Sequence, residues 1–370
     1  MILHISCDDQ FVRYVDKQFM EGDSSSRIIV CDYHEAAIHS KNVSNVIYIQ
    51  AYSQAYFKLI ESLYLYNGII FHGLFGKWAE AMIDAIPDSA TVAWVIWDGE
   101  IFGRPEIEAS FYKPLTKCLW RQKKLYAYLR HGFKHKYAYF VPVEKFRKIK
   151  YCLCDMPQEA SFASQYLKMP LEWVPYNYYS INETVRHLRN KRAAGPNIFL
   201  GNSCTYNNNH IDAIWKLRLL ITKKQKVITP LSYGNTSPKR LIIRVGKLLL
   251  GKSFEPLIDY LPLDEYNTKM LSCSTMIQYL GSPGAQGNIV TGLWLGMRVF
   301  LNKQSIMYEF FKSLGAYVYS VEDDLNADNP NLFQPMSDEE TTHNRQVVEG
   351  YFGQKVIKER VAKIVSLLDK

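Results

Sequence analysis

The stretch Thr275-Met-Ile-Gln-Tyr-Leu-Gly-Ser-Pro-Gly-Ala-Gln-Gly-Asn-Ile289 decides the fold class, because it joins a strand pattern to a helix pattern through a glycine-rich turn. Thr275–Leu280 is a short apolar run, and Gly287–Leu295 has helical spacing of its apolar residues. The same order recurs upstream, where the apolar run 197–200 precedes Gly201 and a helical pattern. Strand, turn and helix in this order predict a parallel sheet with helical crossovers.

The alternation of strands and helices extends through most of the chain. Apolar runs separated by helical stretches are typical of doubly wound sheets, whose parallel strands are buried on both faces. In the first half, we predict strands at Ile2–Ser6, Arg27–Cys31, Val46–Gln50, Gly68–Phe71, Val92–Trp97, Tyr137–Val141 and Tyr151–Cys154. In the second half, we predict strands at Asn197–Leu200, Lys226–Pro230, Ser253–Leu257, Thr275–Leu280, Arg298–Leu301 and Ala316–Tyr319.

A chain of 370 residues exceeds what one hydrophobic core usually supports, so two domains are expected. The polar segment 181–196 ends in Ala-Ala-Gly-Pro and is predicted to be a linker. We therefore predict one Rossmann-like domain over 1–180, a second over 197–336, and a helical tail over 337–370. Two doubly wound domains facing across a cleft, with a C-terminal helix, describe the α/β architecture called GT-B, which many glycosyltransferases have. The same pattern fits some epimerases and two-lobed binding proteins.

The positive charge of the chain is concentrated in one window. Residues 112–150 contain twelve Lys or Arg and one acid, Glu144, whereas the net charge of the whole chain is +8. Aromatic residues are interleaved with these cations, a pattern that suits an anionic membrane surface or a nucleic acid. No recognisable RNA-binding motif accompanies the window, and both kinds of partner stay open at this point. A solvated helical face remains the alternative.

Other features restrict the environment of the protein. The N-terminus, Met1-Ile-Leu-His-Ile-Ser6, has no signal-peptide pattern, and no apolar run reaches the roughly 18–20 residues of a membrane span. The seven cysteines have scattered spacings, which predict free thiols in a reducing cytosol. No Cys or His spacing indicates a metal site, so we expect no metal.

Three turns of the second half could bind a ligand, because ligands of doubly wound sheets lie at the carboxyl ends of the strands. Glycines there allow close backbone approach, and the N-terminus of a following helix favours a phosphate. The glycine-rich turn matches neither the ATP-binding nor the NAD-binding pattern. Each turn is also compatible with an ordinary strand–helix connection. The candidate positions are Gly201, Asn202 and Ser203, then Tyr233 and Gly234, and finally Gln286, Gly287 and Asn288.

In the first half, two strand ends carry groups that could remove a proton from a sugar hydroxyl. His72 follows one predicted strand, and Asp98 and Glu100 follow another. His, Asp and Glu are the usual general bases. No paired-carboxylate spacing selects one of them, and a lone His is often structural, so all three remain candidates.

These stretches, taken in order, resemble a known family. Phe71-His-Gly-Leu-Phe75, Val95-Ile-Trp-Asp-Gly-Glu100, Leu200-Gly-Asn-Ser203, Val227-Ile-Thr-Pro-Leu-Ser-Tyr-Gly234 and Gln286-Gly287 are similar to motifs of the bacterial TDP-4-acetamido-4,6-dideoxygalactose (fucosamine) transferases, glycosyltransferase family 56. The similarity extends from about residue 68 to 315. One motif departs, because the family pattern after the tryptophan is Gly-Ala-Asp, whereas this chain has Asp98-Gly-Glu100.

The resemblance implies a GT-B fold and a nucleotide-diphosphate sugar held mainly by the C-terminal half, with no cofactor. It also implies a polyprenyl-diphosphate-linked glycan as acceptor, in the synthesis of a bacterial surface polysaccharide such as enterobacterial common antigen. The place of action would be the cytoplasmic side of the inner membrane, with the protein bound peripherally. A sugar-nucleotide epimerase or a non-catalytic nucleotide-sugar-binding protein are the alternatives.

Overall fold

The structure is a computed structural model that describes residues 1–8, 11–20, 26–31, 43, 45–131, 139–234 and 237–369. The chain divides into two compact units. Unit 1 comprises Met1–Arg104, Tyr137–Ser180 and Gln354–Lys370, and unit 2 comprises Pro105–Lys136 and Ile181–Gly353. Each unit is built on its own parallel sheet.

Unit 1 contains a seven-stranded parallel sheet with the strand order β3-β2-β1-β4-β5-β6-β7. Its strands are buried apolar runs, as parallel strands covered on both faces must be. The strands are β1 (Ile2–Ser6), β2 (Arg27–Cys31), β3 (Val46–Ile49), β4 (Gly68–His72), β5 (Thr91–Val95), β6 (Ile149–Cys154) and β7 (Glu172–Pro175). The helices of this unit are α1 (Val12–Val15), which continues as a π-helical turn over Asp16–Met20, α2 (Gln54–Glu61), α3 (Lys77–Ala85), α4 (Asp98–Ile101), α7 (Pro157–Leu167) and α15 (Gln354–Leu368).

Unit 2 contains a six-stranded parallel sheet with the order β10-β9-β8-β11-β12-β13. In both sheets the chain starts in the middle, builds outward to one side, and then returns to build the other side, which is the Rossmann arrangement. The strands are β8 (Asn197–Leu200), β9 (Val227–Pro230), β10 (Phe254–Leu257), β11 (Cys273–Gln278), β12 (Arg298–Leu301) and β13 (Tyr319–Ser320). The helices are α5 (Pro105–Glu108), α6 (Pro114–His131), α8 (Ile181–Val185), α9 (His210–Leu217), α10 (Lys239–Leu250), α11 (Leu263–Leu271), α12 (Gln286–Trp294), α13 (Ile306–Ser313) and α14 (Asp338–Phe352).

The predicted pair of doubly wound domains is confirmed, and four strands have the predicted bounds: β1, β2, β8 and β12. The segment 157–175 was not assigned from the sequence, and it forms α7 and the edge strand β7. The predicted strand Tyr137–Val141 lies partly outside the described residues, and its described part makes an isolated bridge between Phe140 and Phe75.

The division into units differs from the predicted domain limits in three segments. The predicted linker 181–196 begins with α8 and belongs to unit 2, because its apolar residues Ile181, Val185 and Leu188 are buried at helical spacing. Pro105–Lys136 also belongs to unit 2. The predicted tail is divided, since α14 is part of unit 2 and α15 is part of unit 1.

Two further properties of the described residues bear on the environment of the protein. All seven cysteines are free thiols in the structure. Within the described ranges, no helix combines the length and the apolar character that a bilayer span requires.

Candidate functional site

The turns predicted to bind a ligand lie side by side at the carboxyl edge of the sheet in unit 2. Strand β8 is flanked by β9 on one side and β11 on the other, so the strand order reverses at β8. In doubly wound sheets, ligands bind in the crevice where the order reverses. The turns after β8, β9 and β11 therefore form a candidate site, which we call the loop cluster: 201–209, 231–234 and 279–288.

Gly201 begins the first of these turns, and its environment admits no side chain. Its backbone is left-handed, with φ of +71°. A Cβ atom at this position would lie 2.5 Å from His210 Nε2 and 2.9 Å from Asn208 Oδ1. The Gly201 N–H donates to the carbonyl of Ile277 on β11 at 2.8 Å. The glycine is thus needed for the tight turn between the two central strands.

Asparagine side chains connect the first turn to the glycine-rich turn. Asn207 Oδ1 accepts hydrogen bonds from the backbone N–H groups of Gly281 and Ser282, each at 3.1 Å. The Asn209 amide donates to the carbonyls of Phe111 and Tyr279, at 3.1 and 2.9 Å. These bonds fix both turns in one conformation.

The neighbouring positions Asn202 and Ser203 belong to the same network. The Asn202 N–H donates to Asn208 Oδ1 at 3.0 Å, and the Asn208 amide donates to Ser203 Oγ at 3.1 Å. Ser203 is 6% exposed, so its hydroxyl is part of the turn rather than an open surface group.

The turn after β9 is joined to the first turn through the backbone. The Cys204 N–H donates to the carbonyl of Tyr233 at 2.6 Å, and Gly234 lies against Thr205 and Cys204. The Tyr233 side chain is 69% exposed. An exposed ring beside a strand-end turn is available to stack on a flat ligand.

The third turn leads into the N-terminus of α12. Ala285 precedes the helix in the left-handed conformation, with φ of +57°, and its methyl side chain cannot accept a hydrogen bond from the first turn. The first N–H groups of a helix have no intrahelical acceptor, so this end attracts an anion. Gln286, Gly287 and Asn288 supply these groups, and the Asn288 amide is held by Tyr266 Oη at 2.9 Å.

Gln278 Oε1 and Gln286 Nε2 are among the buried polar atoms that have no protein partner in the described part of the chain. The Gln278 amide itself donates to the carbonyl of Gly201 at 3.1 Å. Buried polar groups are normally paired, so these two atoms are available to a ligand that binds at this edge. Both atoms lie in or beside the loop cluster.

In unit 1, His72 is enclosed by a polar and aromatic network. It is the last residue of β4 and is 1% exposed. His4 Nδ1 and His72 Nε2 are 3.1 Å apart, and Tyr178 Oη lies 2.9 Å from both His72 Nδ1 and Trp97 Nε1. Burial, and then the neighbouring His4, hold the pKa of His72 well below its usual value. The ring is therefore neutral and closed off from bulk solvent.

Glu100 is a buried structural acceptor. It is 2% exposed, and its carboxylate accepts hydrogen bonds from the N–H of Leu74, from Trp94 Nε1 at 2.8 Å and from the N–H of Trp97 at 2.5 Å. Burial raises its pKa to about 8, although these hydrogen bonds oppose the rise. All three donors would lose their acceptor if the carboxylate engaged a substrate.

Asp98 differs from the other two candidates because its side chain is partly exposed. It follows β5, the neighbour of β4, at the carboxyl edge of the sheet. Burial raises its pKa to about 7. No hydrogen bond engages its carboxylate within the described residues. A partly exposed carboxylate that titrates near neutral pH has the properties of a general base.

Sequence reasoning missed the residues that hold the loop cluster together. Asn207 and Asn209 connect its turns, Gln278 closes on Gly201, and Tyr266 holds Asn288. The run Asn207-Asn-Asn209 after a strand and glycine was the available signal, since Asn side chains often bond to turn backbones. Gln278 and Tyr266 lie inside a strand and a helix, where nothing in the sequence marks them.

The basic window is not a single surface. Its described parts are divided between the units, with α6 in unit 2 and 143–150 in unit 1, and residues 132–138 lie outside the described ranges. In unit 1, Lys145 pairs with Asp84 at 2.6 Å, and Lys148 donates to the carbonyl of Ile86 at 2.6 Å. Lys145 and Lys148 thus have local structural partners, and the larger group of cations in the described part of the window lies on α6.

Among the described residues, no group of three His, Cys, Asp or Glu is arranged to hold a metal ion.

Both units are Rossmann-like, and in each the strand order reverses at the first strand. The C-terminal helix belongs to the first unit. Together these features define the GT-B fold. The chain is similar over its full length to Anabaena HepE solved with UDP and glucose, with a TM-score of 0.65, 12% identity and 100% of each chain covered. It is also similar to the lipopolysaccharide outer core galactosyltransferase WaaB, with a TM-score of 0.63, 8% identity and 99% of each chain covered. A third similar structure is sucrose-phosphate synthase from Thermosynechococcus elongatus, with a TM-score of 0.64 and 9% identity, covering 100% of this chain and 99% of that one.

These TM-scores show a common fold. No protein-family model matches the sequence, and a search of curated proteins finds no match.

Proposed function

We propose that this protein is a glycosyltransferase that uses a nucleotide-diphosphate sugar as donor. The observation that carries the proposal is the loop cluster: three turns joined by hydrogen bonds where the strand order reverses, beside the open N-terminus of α12. Proteins of the same fold support it, because HepE was solved with UDP-glucose and WaaB is named a galactosyltransferase.

The loop cluster has the chemistry to hold the donor. The N–H groups at the start of α12 would bind the diphosphate, and the unpaired Gln286 amide would donate to it. The exposed Tyr233 ring would stack on the base or ribose. When the bond between the anomeric carbon and the diphosphate breaks, the nucleoside diphosphate leaves with the electron pair. Fixed donors at this point stabilise the developing charge.

Asp98 is the base that we favour for the acceptor. Its carboxylate would take the proton of the acceptor hydroxyl as the hydroxyl oxygen bonds to the anomeric carbon. His72 is buried behind Tyr178, and Glu100 is committed to three donors. Of the three candidates, Asp98 alone is both partly exposed and not engaged in a hydrogen bond within the described residues.

The substrates follow from the sequence resemblance. We propose that the donor sugar is TDP-linked 4-acetamido-4,6-dideoxygalactose or a relative, and that the acceptor is a polyprenyl-diphosphate-linked glycan. The protein would then act at the cytoplasmic face of the bacterial inner membrane. The basic and aromatic residues of α6 support contact with an anionic membrane surface.

The test combines donor binding with turnover. TDP- and UDP-sugars are titrated by calorimetry and assayed with a lipid-linked acceptor, using the native protein, Gln286→Ala and Gly287→Val. We expect both variants to bind the nucleotide at least about tenfold more weakly, since each weakens the diphosphate contacts. Gln334→Ala is the matched control, because Gln334 is exposed in the same unit and outside the loop cluster.

Each outcome has a defined meaning. Unchanged binding and turnover in both loop variants would remove the site assignment. Nucleotide-sugar binding with conversion of the sugar but no transfer would identify an epimerase. Binding with neither conversion nor transfer, for every donor and acceptor pair, would identify a binding protein.

A further inference from the structure

A groove runs along the first turns of α6 in unit 2, and its wall residue Tyr112 lies against Tyr206 of the loop cluster. It has a volume of about 590 Å³. Its wall combines the half-exposed Lys117 and the exposed Arg121 with the apolar surfaces of Tyr112, Pro114 and Leu125. Among the described residues that line it there is no acid, although the Tyr112 hydroxyl donates to Glu108 next to it.

The two cations of the groove are available to a ligand. Lys117, Arg121 and Leu125 are spaced by four residues, which places them on one face of the helix. Within the described part of the chain, neither Lys117 nor Arg121 has a carboxylate partner. By contrast, Lys113, which precedes the helix, is paired with Glu322 at 2.7 Å. The groove thus presents two unneutralised positive charges, which attract an anion.

The second half of α6 carries exposed leucines among further cations, which are Lys123, Lys124 and Arg130. After Arg121 come Leu125, which is 59% exposed, and Leu129, which is 74% exposed, with Tyr126 between them. Arg121 and Leu129 are eight residues apart, or about 12 Å along a helix. Exposed leucines on a helix without acids are costly in water and suit the boundary of a bilayer.

The N-terminal end of α6 is rigidly attached to unit 2. The Asp212 carboxylate accepts hydrogen bonds from the N–H groups of Leu115 and Thr116, both at 2.9 Å, and from Thr116 Oγ1 at 2.6 Å. Asp212 lies in the first turn of α9. The groove is therefore preformed, which lowers the cost of ordering it on binding.

We propose that this groove binds the anionic phosphate headgroup of a membrane lipid, with the headgroup at Lys117 and Arg121 and the chain directed toward Leu125 and Leu129. The two cations of the groove attract the phosphate, and the exposed Leu125 and Leu129 offer an apolar surface to the chain. The groove would also hold the phosphate end of a lipid-linked acceptor on unit 2, and in this respect the proposal rests on the proposed function.

The test uses soluble and bilayer probes with the full-length protein. Farnesyl diphosphate, inorganic diphosphate and farnesol are titrated by calorimetry, and flotation is measured with phosphatidylcholine vesicles with and without phosphatidylglycerol. The variant is Lys117→Glu/Arg121→Glu. We expect it to bind farnesyl diphosphate about thirtyfold more weakly and to lose flotation with the anionic vesicles.

The matched control is Arg240→Glu/Arg244→Glu, which makes the same change in net charge at two exposed positions of α10 in the same unit. We expect this control to bind as the native protein does. If both double variants lost farnesyl diphosphate binding and flotation equally, the attraction would depend on net charge alone, and the site would be overturned. Inorganic diphosphate bound as tightly as farnesyl diphosphate, with the same dependence on Lys117 and Arg121, would show a free-phosphate site and would also overturn it.

Gln286→Ala separates this inference from the proposed function. If it abolishes transfer and leaves farnesyl diphosphate binding intact, the donor site and the groove are independent sites. Intact transfer in Gln286→Ala, with loss of lipid binding in Lys117→Glu/Arg121→Glu, would retain the groove and remove the donor assignment. Native binding by Lys117→Glu/Arg121→Glu would remove the groove, whatever happens to transfer.

Discussion

Asn207 and Ser282 are joined by two hydrogen bonds across the carboxyl edge of the sheet in unit 2. The Asn207 amide donates to Ser282 Oγ at 2.5 Å, and the Ser282 N–H donates to Asn207 Oδ1 at 3.1 Å. The two residues lie in the turns after β8 and β11, the strands between which the order reverses. One side chain thus sets the distance between the two turns that the proposed donor site requires.

Replacing Asn207 by Ala should loosen the glycine-rich turn without unfolding unit 2. The variant removes the bonds to Gly281, to Ser282 N and to Ser282 Oγ, but the Asn209 bonds to Phe111 and Tyr279 remain. Net hydrogen bonds of this kind contribute about 1 kcal/mol each. We expect the donor KM to rise about tenfold, while kcat changes less, as measured by initial rates at saturating acceptor.

Asn331→Ala is the control for this prediction, because Asn331 is an exposed asparagine of the same unit outside the loop cluster. A native donor KM in Asn207→Ala would mean that the two turns keep their positions without this side chain.

The pH dependence of transfer should report the ionisation of Asp98. Burial raises the pKa of this carboxyl to about 7, and a general base acts in its ionised form. The value of kcat/KM should therefore rise tenfold per pH unit below about 7 and level off above it. Asp98→Asn should lower kcat by about 10² to 10⁴ and should leave nucleotide binding unchanged.

The control for Asp98→Asn is Asp88→Asn, because Asp88 is an exposed aspartate of the same unit. A native rate in Asp98→Asn, or an ascending limb that persists in this variant, would exclude Asp98 as the base.

His72 should contribute to folding and not to proton transfer. Tyr178→Phe removes the hydroxyl that lies 2.9 Å from both His72 Nδ1 and Trp97 Nε1. Leaving these buried groups unpaired should lower the free energy of unfolding by about 1–3 kcal/mol. Urea unfolding would measure this change. The midpoint of the pH–rate profile should stay at its native value. Tyr64→Phe, at a 72% exposed position of unit 1, should change neither quantity.

A displaced midpoint in Tyr178→Phe would connect His72 to the titration that governs the rate. In that case, the assignment of the base to Asp98 alone would fail.

The sequence predicted the repeated sheet because its central strands are short apolar runs with buried side chains on both faces. Val92–Val95 and Val299–Leu301 are of this kind. The edge strand β7 was missed because only Val174 among its residues is fully buried, which leaves no continuous apolar run. The segment 181–196 was interpreted as a linker from its polarity, although Ile181, Val185 and Leu188 mark a helical face.

The candidate site was predictable in part. Glycine-rich turns after predicted strands identified the positions of the loop cluster, because backbone requirements are local. The environments of His72 and Glu100 were not predictable, since they depend on how the chain folds around them. Tyr178 is 106 residues from His72 and encloses it. The Glu100 carboxylate accepts hydrogen bonds from Leu74, Trp94 and Trp97 and therefore has a structural role. The difference between Glu100 and Asp98 is visible only in the folded unit.

The C-terminal helix α15 should be necessary for the stability of unit 1. Its residues Ile357, Val361, Ile364 and Leu368 are buried in the core of that unit, together with residues of β1, β4 and β6. Burying such a side chain contributes about 1.5–3 kcal/mol, so Ile364→Asp should remove a large part of a typical domain stability of about 5–15 kcal/mol.

Calorimetry with and without nucleotide would measure this effect. We expect Ile364→Asp to lower the unfolding temperature of unit 1 and to leave nucleotide binding by unit 2 intact. Lys363→Asp introduces the same side chain at the preceding, exposed position and should unfold as the native protein does. Equal stability of the two variants would mean that α15 is not part of the core. Loss of nucleotide binding in Ile364→Asp alone would mean that unit 2 depends on unit 1 for its fold.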